Sequence, residues 1–278
     1  MIPFLHLWRF SVPTFGLMVA AAMLAGFYVL RADLARRGIA TARSGLAEAF
    51  VALPCLAGIV GAKVYHILQT PRDLFADPLG QILSPYGFAW FGGLVAGAAA
   101  FVWLARKNSI RLLGALDAGS AAAALGYGIG RIGCLLSGDG DYGVPTSLPW
   151  GMSFPNGIVP TTERVHPTPI YEFLAACLIA GWLWRLGRRQ LHHGIGEPPS
   201  SVPPASFAEG RPLLPQGSVF AFYLVLTGIA RFLVEFIRIN PRSLLGLTNA
   251  QVASLASLVV GVGLYWRIQN RPHRTLKP

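Results

Sequence analysis

Charge is scarce in this chain of 278 residues. Only 13% of its side chains are Asp, Glu, Lys or Arg, and 12 acidic residues face 23 basic ones. That is about half the charged fraction of an ordinary soluble domain. Cysteine is equally sparse: Cys55, Cys134 and Cys177 fall on or near apolar stretches and show no CxxC or Cys/His spacing, which argues against a disulfide framework and against zinc. There are no heptads, no repeat of fixed period and no inverted halves with matching broken helices, so a repeat-built transporter is disfavoured. The net charge of +11 does not form a stripe or a nucleic-acid motif, because the basic residues are shared out among loops. No nucleic acid, metal or cofactor is expected.

What the chain has in quantity is apolar surface, with 53% hydrophobic residues and a mean hydropathy of +0.51. This is the composition of a membrane protein. Apolar runs at about 12 to 30, 46 to 68, 88 to 105, 113 to 136, 168 to 186, 218 to 238 and 250 to 266 each approach the roughly 20 residues that a spanning helix needs. The expected fold is therefore all-α and polytopic, with about seven transmembrane helices in one domain covering 1–278. The first run is longer than a typical signal-peptide core, only Arg9 precedes it and six more runs follow, so it reads as a helix and not as a removable leader.

Basic residues alternate between the connecting segments: Arg31, Arg36, Arg37 and Arg43 in one, only Arg72 in the next, then Arg106, Lys107 and Arg111, then only Arg164. Arg267, Arg271, Arg274 and Lys277 close the chain. The positive-inside rule places the N-terminus outside and the C-terminus in the cytoplasm. Residues 187–217 hold a cluster of Pro, Ser and Gly that reads as a flexible cytoplasmic loop.

Threading the polar residues through this topology gathers them at one membrane face. Lys63 falls near the outer end of the second helix, Arg131 close to the outer end of the fourth, and Arg231 with Glu235 in the outer half of the sixth. His166, Thr168 and Glu172 mark the outer start of the fifth. Asp139 and Asp141 follow in SGDGDYG, a loop that includes Gly143 and whose glycines allow close backbone approach to a ligand. Ionisable groups at membrane depth are costly and mark function by default. Guanidinium forks match phosphate oxygens two at a time, so an anionic phospholipid head group fits Arg131 and Arg231. A plainer reading exists for some of them: Arg231 and Glu235 can pair at i and i+4, Lys63 can snorkel to the interface, and His166 can sit as an interfacial residue at the start of its helix. Arg131 has no acidic residue within a helical turn, so this reading suits it least. Trp150 and Tyr171 read as part of an aromatic belt.

At these residues the chain resembles the bacterial prolipoprotein diacylglyceryl transferases. Gly130-Arg131-Ile132-Gly133-Cys134 with the loop after it is similar to the family's Gly-Arg-x-Gly signature, and His166-Pro167-Thr168-Pro169-Ile170-Tyr171-Glu172 to its His-Pro-Thr-x-x-Tyr-Glu element. Ala230-Arg231 through Glu235 to Arg238 resembles the segment of its second arginine. Weaker echoes are Gly61-Ala62-Lys63, Phe91-Gly92-Gly93-Leu94 and Leu247-Thr248-Asn249-Ala250-Gln251. The resemblance implies transfer of the diacylglyceryl group of phosphatidylglycerol to the lipobox cysteine of a preprolipoprotein, through its signal peptide, with release of glycerol phosphate. It places the protein in the bacterial inner membrane with the site toward the outer face. It implies Arg131, Arg231, His166 and Glu235 as catalytic residues, and Lys63, Gly92, Gly93, Gly133, Cys134, Asp139, Gly143, Thr168, Tyr171, Glu172 and Gln251 as substrate contacts.

The chain departs from the family pattern where Phe91 replaces a histidine, Phe15 and Thr227 replace tyrosines, and Cys134 replaces an asparagine. The first two swaps delete proton-handling groups, so the base role passes to His166, whose side-chain type exchanges protons near neutral pH. Cys134 reads as a small buried thiol. A second reading follows from the same departures, a weakly active or inactive paralogue that binds anionic phospholipid or a lipoprotein precursor.

Overall fold

The computed structural model describes residues 1–38, 45–84, 87–190, 214–244 and 246–270. A short hairpin of β1 (Phe4–Leu7) and β2 (Phe10–Pro13) leads into α1 (Thr14–Arg36), followed by α2 (Leu46–Gln69), two single-turn helices α3 (Pro71–Ala76) and α4 (Pro78–Leu83), α5 (Trp90–Lys107) and α6 (Leu112–Ser137). A second hairpin, β3 (Met152–Phe154) with β4 (Thr161–Val165), precedes α7 (Thr168–Gly187). Then come α8 (Ser218–Val234), a third small hairpin of β5 (Arg242–Leu244) and β6 (Leu247–Thr248), and α9 (Asn249–Gln269).

Among the described residues, seven long helices therefore occupy the seven apolar runs. Six of them are long and apolar enough to cross a membrane, which makes the chain a multi-pass helical membrane protein. The exception is α5, whose 18 residues end on Arg106 and Lys107. Most of the Pro-rich segment, 191–213, lies outside the described residues, as do Arg43, Arg271, Arg274 and Lys277; Arg188–Gln190 form a 3-10 turn closing α7.

The contacts gather into two compact units, 39–115 and the remainder. In the first, α2 and α5 pack through glycines. A Cβ on Gly61 would lie 2.6 Å from the Gly92 carbonyl oxygen, and one on Gly92 would overlap the Gly61 oxygen and Tyr65. Gly93 faces the Gly58 oxygen, and Gly97 faces that of Pro54, each at 3.1 Å from the missing Cβ. In lipid, where no hydrophobic force drives helices together, such close backbone approach is what holds a pair. Gly92 and Gly93 thus have a packing reason to be glycine.

In the second unit α6 is central, and its face of small residues, including Ala118, Ala121, Ala122 and Ala124, is buried. Gly26 of α1 approaches Ala122, and Gly128 of α6 approaches Ala176 and Phe173 of α7. Ala121, Leu183, Leu186 and Val219 form a core cluster that joins α6, α7 and α8. Gly228 and Gly261 seat α8 against α9 in the same way.

One end of this unit is tied by a buried polar cluster. Asp33 pairs with Arg36 and, at 3.2 Å, with Arg37. Arg37 donates to Gln190 (2.9 Å), which donates to Asp117 (2.9 Å), and Asp117 accepts from the Gly217 and Phe220 amides at the start of α8. A carboxylate there meets both the orphan amides and the positive end of the helix. The opposite ends of α6, α7 and α8 carry a second and larger charge cluster.

Candidate active site

Backbone geometry assembles this second cluster. After α6 ends at Ser137 the chain turns through Gly138 and Gly140, both at positive φ (60° and 91°), where a side chain would be strained. Gly143 then bridges to Arg238 and donates its amide to the His166 carbonyl (2.8 Å). A Cβ at Gly143 would overlap the Ile237 carbonyl oxygen and lie 2.9 Å from His166 Cβ. The absence of a side chain at this position lets three separate segments meet. Val144 donates to Ile237 and accepts from His166, extending the same ladder, and buried Thr168 closes it with a hydrogen bond from Oγ1 to the Asp141 carbonyl at 2.5 Å.

Glu172, on the first turns of α7, is the hub. Its Oε2 accepts from Arg131 Nε at 2.7 Å and from Arg238 Nη1 at 3.3 Å, and Arg131 Nη2 lies 2.6 Å away. Its Oε1 accepts from Arg231 Nη1 at 2.5 Å and from the Tyr127 hydroxyl at 2.6 Å. Asp141 bridges Arg131 Nη1 (2.6 Å) and Arg238. Glu235 pairs with Arg231 at 3.0 Å, as the i, i+4 spacing predicts, lies 3.7 Å from Arg238, and accepts from Asn240 Nδ2 at 2.6 Å. Three guanidinium groups are thus matched by three carboxylates. The partners that Arg131 lacks along its own helix come from α7 and from the loop after α6.

The guanidinium groups differ in access. The Arg231 side chain is 27% exposed, Arg131 12% and Arg238 4%. Cys134 lies beside Arg131, with Sγ 3.5 Å from Nη1, and close to Asp139 and Asp141. The ligand atoms of these three residues fall within 4.8 Å of one another. As a cation seat the group fits poorly, since Asp141 is taken by two guanidinium cations and Cys134 faces a third donor from Arg131. Burial pushes the Asp139 carboxyl up from its ordinary value. Burial acts on Asp141 in the same sense, but the Arg131 and Arg238 guanidinium groups outweigh it and hold that carboxyl low.

His166 stands beside the cluster in an aromatic set. Its Nδ1 is 3.2 Å from the Tyr171 hydroxyl, which accepts a hydrogen bond from the exposed Trp150 indole at 2.8 Å. The remaining sequence candidates have structural partners. Gln251 closes a capping box with Thr248 at the start of α9. Gly133 faces Phe15 and Met18 of α1, each 3.1 Å from where a Cβ would stand, which brings Phe15 to the site end of α6. Lys63 donates to the Ser84 carbonyl at 2.9 Å and lies over Phe88; with Gly92 and Gly93 it belongs to the other compact unit.

Tyr127 and Arg238 were not among the sequence candidates. Both carried a faint signal: Tyr127 is one helical turn before Arg131, and Arg238 is two turns beyond Arg231, so each shares a helix face with a candidate. Chemically, the cluster offers several charge-assisted donors at the end of an apolar bundle, with Arg231 the most approachable. It suits an anionic group carried by an otherwise apolar ligand.

Comparison with known proteins gives the family. A family model described as prolipoprotein diacylglyceryl transferase matches residues 3–267. Proteins named phosphatidylglycerol–prolipoprotein diacylglyceryl transferase are similar along nearly their whole length. The one from Clostridium tetani is 29% identical over 264 residues, covering 94% of each chain. Those from Vibrio cholerae serotype O1 and Geobacter sulfurreducens are each 30% identical, over 91% and 96% of this chain and 85% and 95% of their own. With Arg131, Glu172 and Arg231 joined at one end of its helical bundle, the chain belongs to the prolipoprotein diacylglyceryl transferase family.

Proposed function

We propose that the protein transfers the diacylglyceryl group of phosphatidylglycerol to the lipobox cysteine of preprolipoproteins, at the outer face of the bacterial inner membrane. The observation that carries this reading is the joining of Arg131 and Arg231 through Glu172, inside a chain whose family match runs from residue 3 to 267. In the reaction the acceptor thiol loses its proton, its sulfur forms a C–S bond to the terminal glyceryl carbon, and the C–O bond to phosphate breaks. The leaving oxygen takes the electron pair and departs as glycerol phosphate.

The difficult part is charge developing on the leaving phosphate. Donors fixed in a water-poor site stabilise such charge far better than water does. Arg231 is the first donor available to the phosphate, with Arg131 behind it. Glu172, Glu235 and Asp141 hold the guanidinium groups in place before substrate arrives, so that less reorganisation accompanies the reaction. His166 takes the thiol proton in this reading, oriented by the Tyr171 hydroxyl at its Nδ1. The loop of Asp139 and Gly143 frames the acceptor. With the N-terminus outside, the arginine cluster faces an exported acceptor.

The test is mass spectrometry of a lipobox peptide incubated with phosphatidylglycerol and the purified protein. A gain of one diacylglyceryl unit, reduced to below about 1% by Arg131→Ala, is the expected outcome. An unchanged gain in that variant would remove the phosphate role. Phe15 against Gly133 and Phe91 favour a second reading, a protein that binds the lipid without turnover; tight lipid binding with no glycerol phosphate released would select it.

A further inference from the structure

We infer that the Tyr127 hydroxyl lets Arg231 leave Glu172 for the lipid phosphate, making Tyr127 a positioning residue for the anionic donor. The inference rests on the transferase reading for the identity of the anion.

Among the described residues, each guanidinium of the cluster is already paired: Arg231 with Glu172 and Glu235, Arg131 through Nε and Nη1 with Glu172 and Asp141, and Arg238 with the same two carboxylates. A phosphate therefore enters by exchange, with an arginine giving up a carboxylate as it takes phosphate oxygens. Arg231 is the guanidinium to move, since at 27% side-chain exposure it is the least covered of the three. Of its two partners, Glu235 is fully buried and shares α8, one turn away. Glu172 lies across the helix interface, and Arg131 and Arg238 hold its other oxygen.

When Arg231 swings to phosphate, Oε1 of Glu172 is left in an enclosed site. A buried acceptor without a donor is costly. The Tyr127 hydroxyl, 2.6 Å from that same oxygen, prevents this. Being neutral, it takes the place of a hydrogen bond without adding a charge that would compete for the phosphate or repel it. Its ring stands over Arg131 at 5.9 Å and keeps 38% of its surface uncovered, so it rests at the margin of the cluster and needs no room opened for it.

Tyr127→Phe keeps the ring and deletes only this donor. The experiment measures phosphatidylglycerol binding to the purified full-length protein by native mass spectrometry, and transfer to a lipobox peptide, for wild type, Tyr127→Phe, Arg231→Gln and the double variant. The expected result is Kd and KM for the lipid raised about tenfold by Tyr127→Phe, with the loss falling on KM and not on kcat. In the Arg231→Gln background the hydroxyl has no departure to cover, so its removal should change Kd by less than about twofold. A Kd within twofold of wild type in Tyr127→Phe, a loss confined to kcat, or additive effects in the double variant would each overturn the role. Lipid binding without mass gain on the peptide in wild type would instead overturn the transferase reading, while the Tyr127 comparison still stands on Kd.

Discussion

Glu172 shows how one carboxylate can organise a site. Its two oxygens collect donors from α6, α8 and the turn after α8, so loss of its charge would leave three guanidinium groups sharing two carboxylates. Glu172→Gln should cost about 3 to 5 kcal/mol of stability, the cost of breaking a buried ion network, read as a lower unfolding temperature in detergent, with transfer lost as well. The opposite holds for Asp139. Burial raises its carboxyl in the folded state, so the fold is favoured by protonation, and that advantage is present at acid pH and lost as pH rises through the raised value. Asp139→Asn should therefore raise the unfolding temperature at pH 7, with the difference from wild type vanishing as pH falls below the ordinary carboxylate range. An equal shift at all pH values would contradict burial as the cause. Arg131, Arg231, Glu172 and Glu235 were legible in the sequence because an ionisable residue in or beside an apolar run is conspicuous. Tyr127 was not, since a tyrosine in a membrane helix is commonplace and its role depends on a carboxylate 45 residues away.

Among the elements, the long helices follow the apolar runs, the largest offset being at α1, which continues to Arg36 beyond the run's end near 30, and this part of the fold was plain in the sequence. The hairpins and the single-turn helices α3 and α4 were not, because their short segments carry no period long enough to register. The β-ladder that matters most runs through Gly143, Val144, His166 and Arg238. Its partners are far apart in the chain, and periodicity says nothing of such register. Gly143→Ala tests its importance: the new Cβ would collide with Ile237 and crowd His166, displacing Arg238 and His166 together. Transfer should fall about a hundredfold, as small misplacements of reacting groups do, while the protein remains folded and membrane-inserted. A variant with wild-type kinetics would mean that the ladder is tolerant.

At the scale of the whole molecule, charge is sorted to the two ends of the helices of the larger unit, with Asp33, Arg36, Arg37 and Asp117 at one and the arginine cluster at the other. The proposed topology makes the first end cytoplasmic. In a variant lacking the three native cysteines, Trp8→Cys, at the tip of the first hairpin, should react with an impermeant maleimide in spheroplasts. Arg106→Cys, at the end of α5, should react only after the membrane is opened. The reverse pattern would invert the topology and put the arginine cluster on the cytoplasmic side, away from an exported acceptor.

The pairing of three guanidinium groups with three carboxylates also bears on what happens after bond cleavage. Phosphatidylglycerol brings a phosphodiester with a single negative charge, whereas glycerol phosphate departs as a monoester carrying close to two. Three unopposed arginines would grip the more highly charged species harder and stall on their own product. In the proposed exchange Glu172 can return to Arg231, so the resting ion pair competes with the spent phosphate and favours its release, readying the cluster for the next lipid.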